Sequence, residues 1–279
     1  MLMPRVIVEA EEYRGKIVEV SRDTNPSIAQ EETATIDFDI SDIDVTSVKG
    51  RANHALLELY NKKGYDVFKD TCLEMKKNNW FSAQDYGAFK GECAEVFLYG
   101  TVLEFIKKFN LPWKAYLSLV IPHRNGVEGN TTEIDLVLIS EEMVTVFEVK
   151  SYNGNKEITG ICNIKTKSQD KDIYNQNALH CESLIKLIKG FNINSNRGMK
   201  SVLFSFSEGP VHDKREDINK RLMPVLDERT ILKYLTSLTK LNEKLWKPEL
   251  VEKVDELHKA LTVEDHMNYI KEAKGGNIQ

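Results

Sequence analysis

Apolar residues recur along this chain with two different periods, and the places where the period changes divide it into elements. From Ala52 the spacing is helical, with Ala55, Leu56, Leu59 and Tyr60 on one stripe, and a second short helix is predicted over 68–78. FSAQDYGAFKGECAEVFLYGTVLEFIKKFN (81–110) predicts a long helix. Ala94, Phe97, Leu98, Val102, Phe105 and Ile106 share one of its faces, and Asn110 and Pro112 end it. Three strand-like runs follow: AYLSLVIP (115–122), EIDLVLIS (133–140) and VTVFEVKSY (144–152). IYNQNALHCESLIKLIK (173–189) returns to the helical period and is closed by Gly190. MKSVLFSF (199–206) is continuously apolar, as a strand covered on both faces would be. DERTILKYLTSL (227–238) is an amphipathic helix with an acidic start, and two more helices are expected at 248–261 and 263–273.

Ahead of these elements, residues 4–21 read as two short strands joined by a turn at Gly15. Ile36, Phe38 and Ile40 then alternate with Asp37 and Asp39, the pattern of a half-exposed strand. From 83 to 239 the order is α, β, β, β, α, β, α, which is an α/β sandwich. The expected boundaries are an acidic α+β segment at 1–82, a core domain at 83–240 and a helical extension at 241–279.

Composition changes this picture little. Over 279 residues, 41% hydrophobic and 29% charged side chains are the balance of a globular protein. No apolar run approaches the roughly 18 residues of a membrane span. The opening MLMPRVIVEAEEYRGK lacks the layout of a secretory signal. Cys72, Cys93, Cys162 and Cys181 are scattered without a CxxC pair, so they read as structural thiols of a cytoplasmic protein. The net charge of −5 counts against a polyanionic partner at first sight. It is unevenly spread, however. Residues 1–50 carry 5 basic and 11 acidic side chains, a net of −6, and the remainder carries 33 and 32, a net of +1.

The chemistry concentrates in the hairpin TTEIDLVLISEEMVTVFEVKSY (131–152). If Ser140 pairs with Met143, continuing the register places Asp135 opposite Glu148, on one face and with Cβ atoms about 4.5–5.5 Å apart. Lys150 falls on the same face two residues on. Two carboxylates so close inside a dry sheet repel each other, and a divalent cation relieves the repulsion. The competing structural reading is an ordinary surface hairpin in which Glu133 pairs with Lys150 and Asp135 is solvated.

TEIDLVLIS followed by VTVFEVKSYNG resembles the PD-(D/E)XK nuclease superfamily, and more narrowly the nuclease-related (NERD) domain. The shared positions are Ile134-Asp135, Glu148-Val149-Lys150, Tyr152 and Gly154. The family's G-E-x-G-E pattern corresponds to GECAE, where Gly91, Glu92 and Glu95 match and Ala94 replaces the second glycine. Its helical glutamine corresponds to Gln176, without the usual upstream proline, and the glycine of the hairpin turn is missing.

The resemblance implies a restriction-endonuclease-like αβββαβ core, a mixed sheet flanked by helices, with the amino-terminal α+β segment and carboxy-terminal helices added. It implies Mg²⁺- or Mn²⁺-dependent hydrolysis of DNA, with RNA not excluded, in host defence or DNA repair. By the same resemblance Asp135, Glu148 and the Val149 carbonyl are metal ligands and Lys150 is the catalytic lysine. Glu95 approaches from the helix to place a water or second ion, and Gln176 orients Lys150 or a phosphate. Replacing Asp135, Glu148 or Lys150 is expected to abolish cutting and leave the fold largely intact.

Two alternatives stand beside this reading: a non-cleaving nucleic-acid-binding or assembly module, and a nuclease active only with a protein partner such as a helicase. A homo-oligomer also fits. The acidic strand around Phe38 is either a solvated edge or a mimic of the DNA backbone. Lys165, Lys167 and Lys171 either grip phosphates or are solvated. Tyr152 either packs or stacks on a base, and His180, four residues after Gln176, is either a core residue or part of the site. VHDKRED (211–217) reads as a polar loop.

Overall fold

Strands β1 (Arg5–Val8) and β2 (Ile17–Val20) pair antiparallel with Arg5 opposite Val20, the two short strands expected here. The computed structural model describes residues 5–8, 17–20, 50–77, 86–127, 129–141, 143–152, 154–188, 198–241 and 248–275. The acidic run around Phe38 and the helix stop at Gly190 lie outside these residues.

Helix α1 (Gly50–Lys77) is interrupted at Gly64, whose φ of 81° and ψ of 171° only glycine adopts readily. The two helices expected in this region are therefore the two arms of one kinked element. Helix α2 (Tyr86–Lys108) lies against it, and Leu56, Leu57, Tyr60, Phe68, Cys72 and Met75 share a core with Ala94, Phe97 and Leu98. The helices meet closely at Gly100, where an added Cβ would lie 2.5 Å from Cε1 of the fully buried Phe68 ring. Gly100→Ala is thus expected to cost about 1–3 kcal/mol by overpacking. Urea unfolding measures this, and Phe68→Leu in the same chain should recover part of the loss.

The chain continues through β3 (Lys114–Pro122), β4 (Thr131–Ile139), β5 (Val144–Lys150), β6 (Lys156–Thr159), β7 (Asn163–Lys165) and β8 (Asp170–Asp172). Then come α3 (Ile173–Ile188), β9 (Met199–Ser205), β10 (Val211–Asp213), α4 (Asp217–Leu222), β11 (Val225–Leu226), α5 (Ile231–Leu238), α6 (Pro248–Ala260) and α7 (Val263–Gly275). The main sheet has the order β11-β9-β5-β4-β3. Its hairpins are antiparallel, and β5, β9 and β11 run parallel to one another. The αβββαβ order expected from the periodicity is present.

The sheet separates two apolar clusters. On one face Leu136, Leu138, Phe147, Val149, Val202 and Phe204 pack with α1, α2 and α5. On the other, Leu119, Ile121, Ile134, Val137 and Val146 pack with Leu184 of α3 and with Leu250 and Val254 of α6. Polar ties hold the carboxy-terminal helices down as well. Tyr116 donates to Asp255 at 2.8 Å, and the Thr131 hydroxyl lies 2.9 Å from Nδ1 of His266.

A second, four-stranded sheet, β10-β6-β7-β8, occupies stretches that the pattern leaves as loops. Its strands have three or four residues, too few to display a period. Ile158 and Ile164 are buried with Ile173, Leu203 and Met223. KTKSQDK is the hairpin of this sheet, with the Thr166 hydroxyl accepting from the amides of Ser168 and Gln169. VHDKRED supplies the parallel strand β10.

Candidate active site

The β4–β5 register is the predicted one, from Ile139 opposite Val144 to Leu136 opposite Phe147. There the backbone pairing ends, and the Asp135 carboxylate takes its place: Oδ2 accepts the Val149 amide at 2.7 Å. On the other side of β4 the register brings Asp135 to Ser118, which has a left-handed φ of 50°. Such a backbone is uncommon for serine and strained. It reverses the in–out alternation of both strands. Leu117 and Leu136 face α2, whereas Leu119, two residues later on β3, and its partner Ile134, two residues earlier on β4, face α3. The sheet is therefore opened and twisted at Asp135.

Glu148 is 0% exposed and lies on the α3 side of β5. The Lys150 ammonium donates to its Oε1, forming an ion pair. Burial by itself would lower the Lys150 pKa, but the negative charges of Glu148 and Asp135 outweigh it and hold the ammonium above its ordinary value. Lys150 is thus a fixed positive charge at neutral pH and not a base. The sheet brings Asp135, Glu148 and Lys150 together.

Helix α3 is seated on β5 by Asn177, whose side-chain amide donates to the Val146 carbonyl at 3.1 Å and to the Ser201 hydroxyl at 2.8 Å. One turn on, that seating points buried His180 at the site, with Nδ1 3.5 Å from Oε2 of Glu148. Ile173, Asn177, His180 and Leu184 form the buried face of α3 at helical spacing. Gln176 falls on the exposed side. Asn177 is the residue that sequence reasoning missed. Its signal was the helical phase set by Ile173 and Leu184.

Burial pushes the His180 pKa down to about 4 from 6.5, against the attraction of Asp135. As pH falls, the unfolded chain takes up its proton near 6.5 while the folded chain does not until about 4. The stability associated with the neutral ring is complete above pH 6.5 and is lost between 6.5 and 4, by on the order of 3 kcal/mol. Urea unfolding in chelator at several pH values should show this loss, and His180→Gln should flatten it.

Glu95 is buried on α2 and Glu92 is half-buried. Tyr152 packs against the core of the small sheet. Lys165, Lys167 and Lys171 are exposed. The segment after Lys150 is pinned to the turn after β9. Lys156, almost fully buried, donates to the carbonyls of Gly154 and Glu208, and a Cβ on Gly209 would lie 2.8 Å from the Gly154 oxygen.

Two carboxylates and a nearby phosphate suit a Mg²⁺-like ion, which keeps much of its water. Among the described residues no three histidine, cysteine, aspartate or glutamate side chains are preassembled around one ion. Nevertheless Nδ1 of His180, Oδ1 of Asn177 and Oγ of Ser118 are buried without a hydrogen-bond partner among the described residues. Orphaned polar atoms of this kind point to water or an ion, and the site fits a divalent cation in that sense.

Residues 90–206, which hold all of these groups except Glu208 and Gly209, match the family model of the nuclease-related domain, NERD. This segment is thus similar to a nuclease-related domain. Two solved structures are similar to the chain at low identity. A protein of unknown function, AF1548, is 11% identical, with 64% of this chain and 98% of that one covered and a TM-score of 0.26. The small subunit (R.BspD6I2) of the heterodimeric restriction endonuclease R.BspD6I is 10% identical, with 75% and 97% covered and a TM-score of 0.25. No curated protein matches the sequence. Among the described residues no helix is long and apolar enough to cross a membrane.

Proposed function

We propose that this NERD-containing chain is a divalent-metal-dependent nuclease that hydrolyses phosphodiester bonds of DNA. The observation that carries the reading is the meeting of Asp135, Glu148 and Lys150 at the point where β4 and β5 part. In this reading Asp135 and Glu148 hold Mg²⁺ or Mn²⁺, with the Val149 carbonyl beside them and Glu95 contributing from α2. The ion, when bound, polarises the phosphate and makes water a better nucleophile. Lys150 releases Glu148 and holds the negative charge that builds on the phosphate oxygens, a role suited to a point charge. Gln176, on the open side of α3, contacts the DNA strand. Incubating the purified chain with linear and circular, single- and double-stranded DNA in EDTA, Mg²⁺ or Mn²⁺ tests this. Cutting is expected only with metal. A folded protein that leaves every substrate intact would overturn the assignment.

A further inference from the structure

The two oxygens of Glu148 have different neighbours. Oε1 accepts from Lys150, whereas Oε2 faces Nδ1 of His180 at 3.5 Å. That imidazole is more than nine-tenths buried, and Nδ1 has no hydrogen-bond partner among the described residues. Two donors that share one ion at about 2.1–2.2 Å each lie about 3–3.5 Å apart. The Oε2–Nδ1 gap has this span. The buried Oδ1 of Asn177, one turn earlier on the same helix and also without a hydrogen-bond partner among the described residues, offers an acceptor for water on that ion.

We infer that His180 is a nitrogen donor to the cation of this site, together with Glu148, and that the site consequently prefers Mn²⁺ to Mg²⁺. The inference rests on the metal-dependent reading above and adds the choice of ion. The chemical reason is that imidazole suits first-row transition ions, whereas Mg²⁺ takes oxygen ligands. The remaining positions on the ion belong to water and phosphate oxygens.

Pulsed electron paramagnetic resonance on the full chain loaded with Mn²⁺ tests this directly, comparing unlabelled protein with protein carrying ¹⁵N-histidine. The expected result is a nitrogen modulation that changes isotope with the label and disappears in His180→Gln. In calorimetric titrations that substitution should also reduce the preference for Mn²⁺ over Mg²⁺ by at least about tenfold. Bound Mn²⁺ without histidine coupling would overturn the inference and leave the nuclease reading standing. Failure of the wild-type chain to bind either ion would remove both.

Discussion

Lys150→Ala is expected to abolish cleavage and to weaken the fold at the same time. Removing a charge that stabilises the reacting phosphate typically lowers turnover about 10²–10³-fold. The second effect follows from burial. Glu148 is 0% exposed, and without the ammonium its charge loses its cationic partner inside the sheet. Breaking such a pair from one side costs about 3–5 kcal/mol. The Lys150 side chain is 18% exposed, so water reaches the pair and the lower end of that range applies. Replacing both members, as Glu148→Gln with Lys150→Met, should recover most of the stability and none of the activity. Asp135→Asn should be mild for folding, because an amide oxygen can still accept the Val149 amide, yet cleavage should be lost. DNA-cutting assays and urea unfolding on the same four proteins separate the two effects. A Lys150→Ala chain that cuts at the wild-type rate would refute the catalytic assignment. One that is inactive but fully stable would refute the electrostatic account of the pair.

Deleting residues 248–275 should remove cooperative folding altogether. Leu250 and Val254 close the α3-side cluster over Tyr116, Leu119, Ile121 and Val137, so the deletion exposes apolar side chains of the edge strand β3 and of β4 beside it. Leu250→Ala by itself should cost about 2–5 kcal/mol, a large part of the 5–15 kcal/mol typical of a whole domain. Circular dichroism melts and dye binding to exposed apolar surface distinguish the outcomes. A truncated chain that melts cooperatively near the wild-type temperature would show that α6 and α7 are dispensable.

These results also separate what is local from what is not. The sequence by itself determined the αβββαβ order, because long strands and helices repeat their burial often enough for a period to show, as Phe97, Leu98 and Val102 do on α2. It determined the pairing that brings Asp135, Glu148 and Lys150 together, because a short symmetric loop between the two strands sets the register locally. It did not reveal the small sheet, whose three- and four-residue strands each bury too few side chains to form a pattern. It also did not reveal how deeply Glu148 is buried, and so the fold was expected to survive loss of Lys150. That burial depends on α3 lying over β5. Only the tertiary structure decided that His180, not Gln176, turns toward Glu148, since a helix shows its periodicity in sequence but takes its absolute rotation from the surface it packs on. The opening of the sheet at Asp135 was likewise a tertiary decision, made by a left-handed Ser118 on the neighbouring strand.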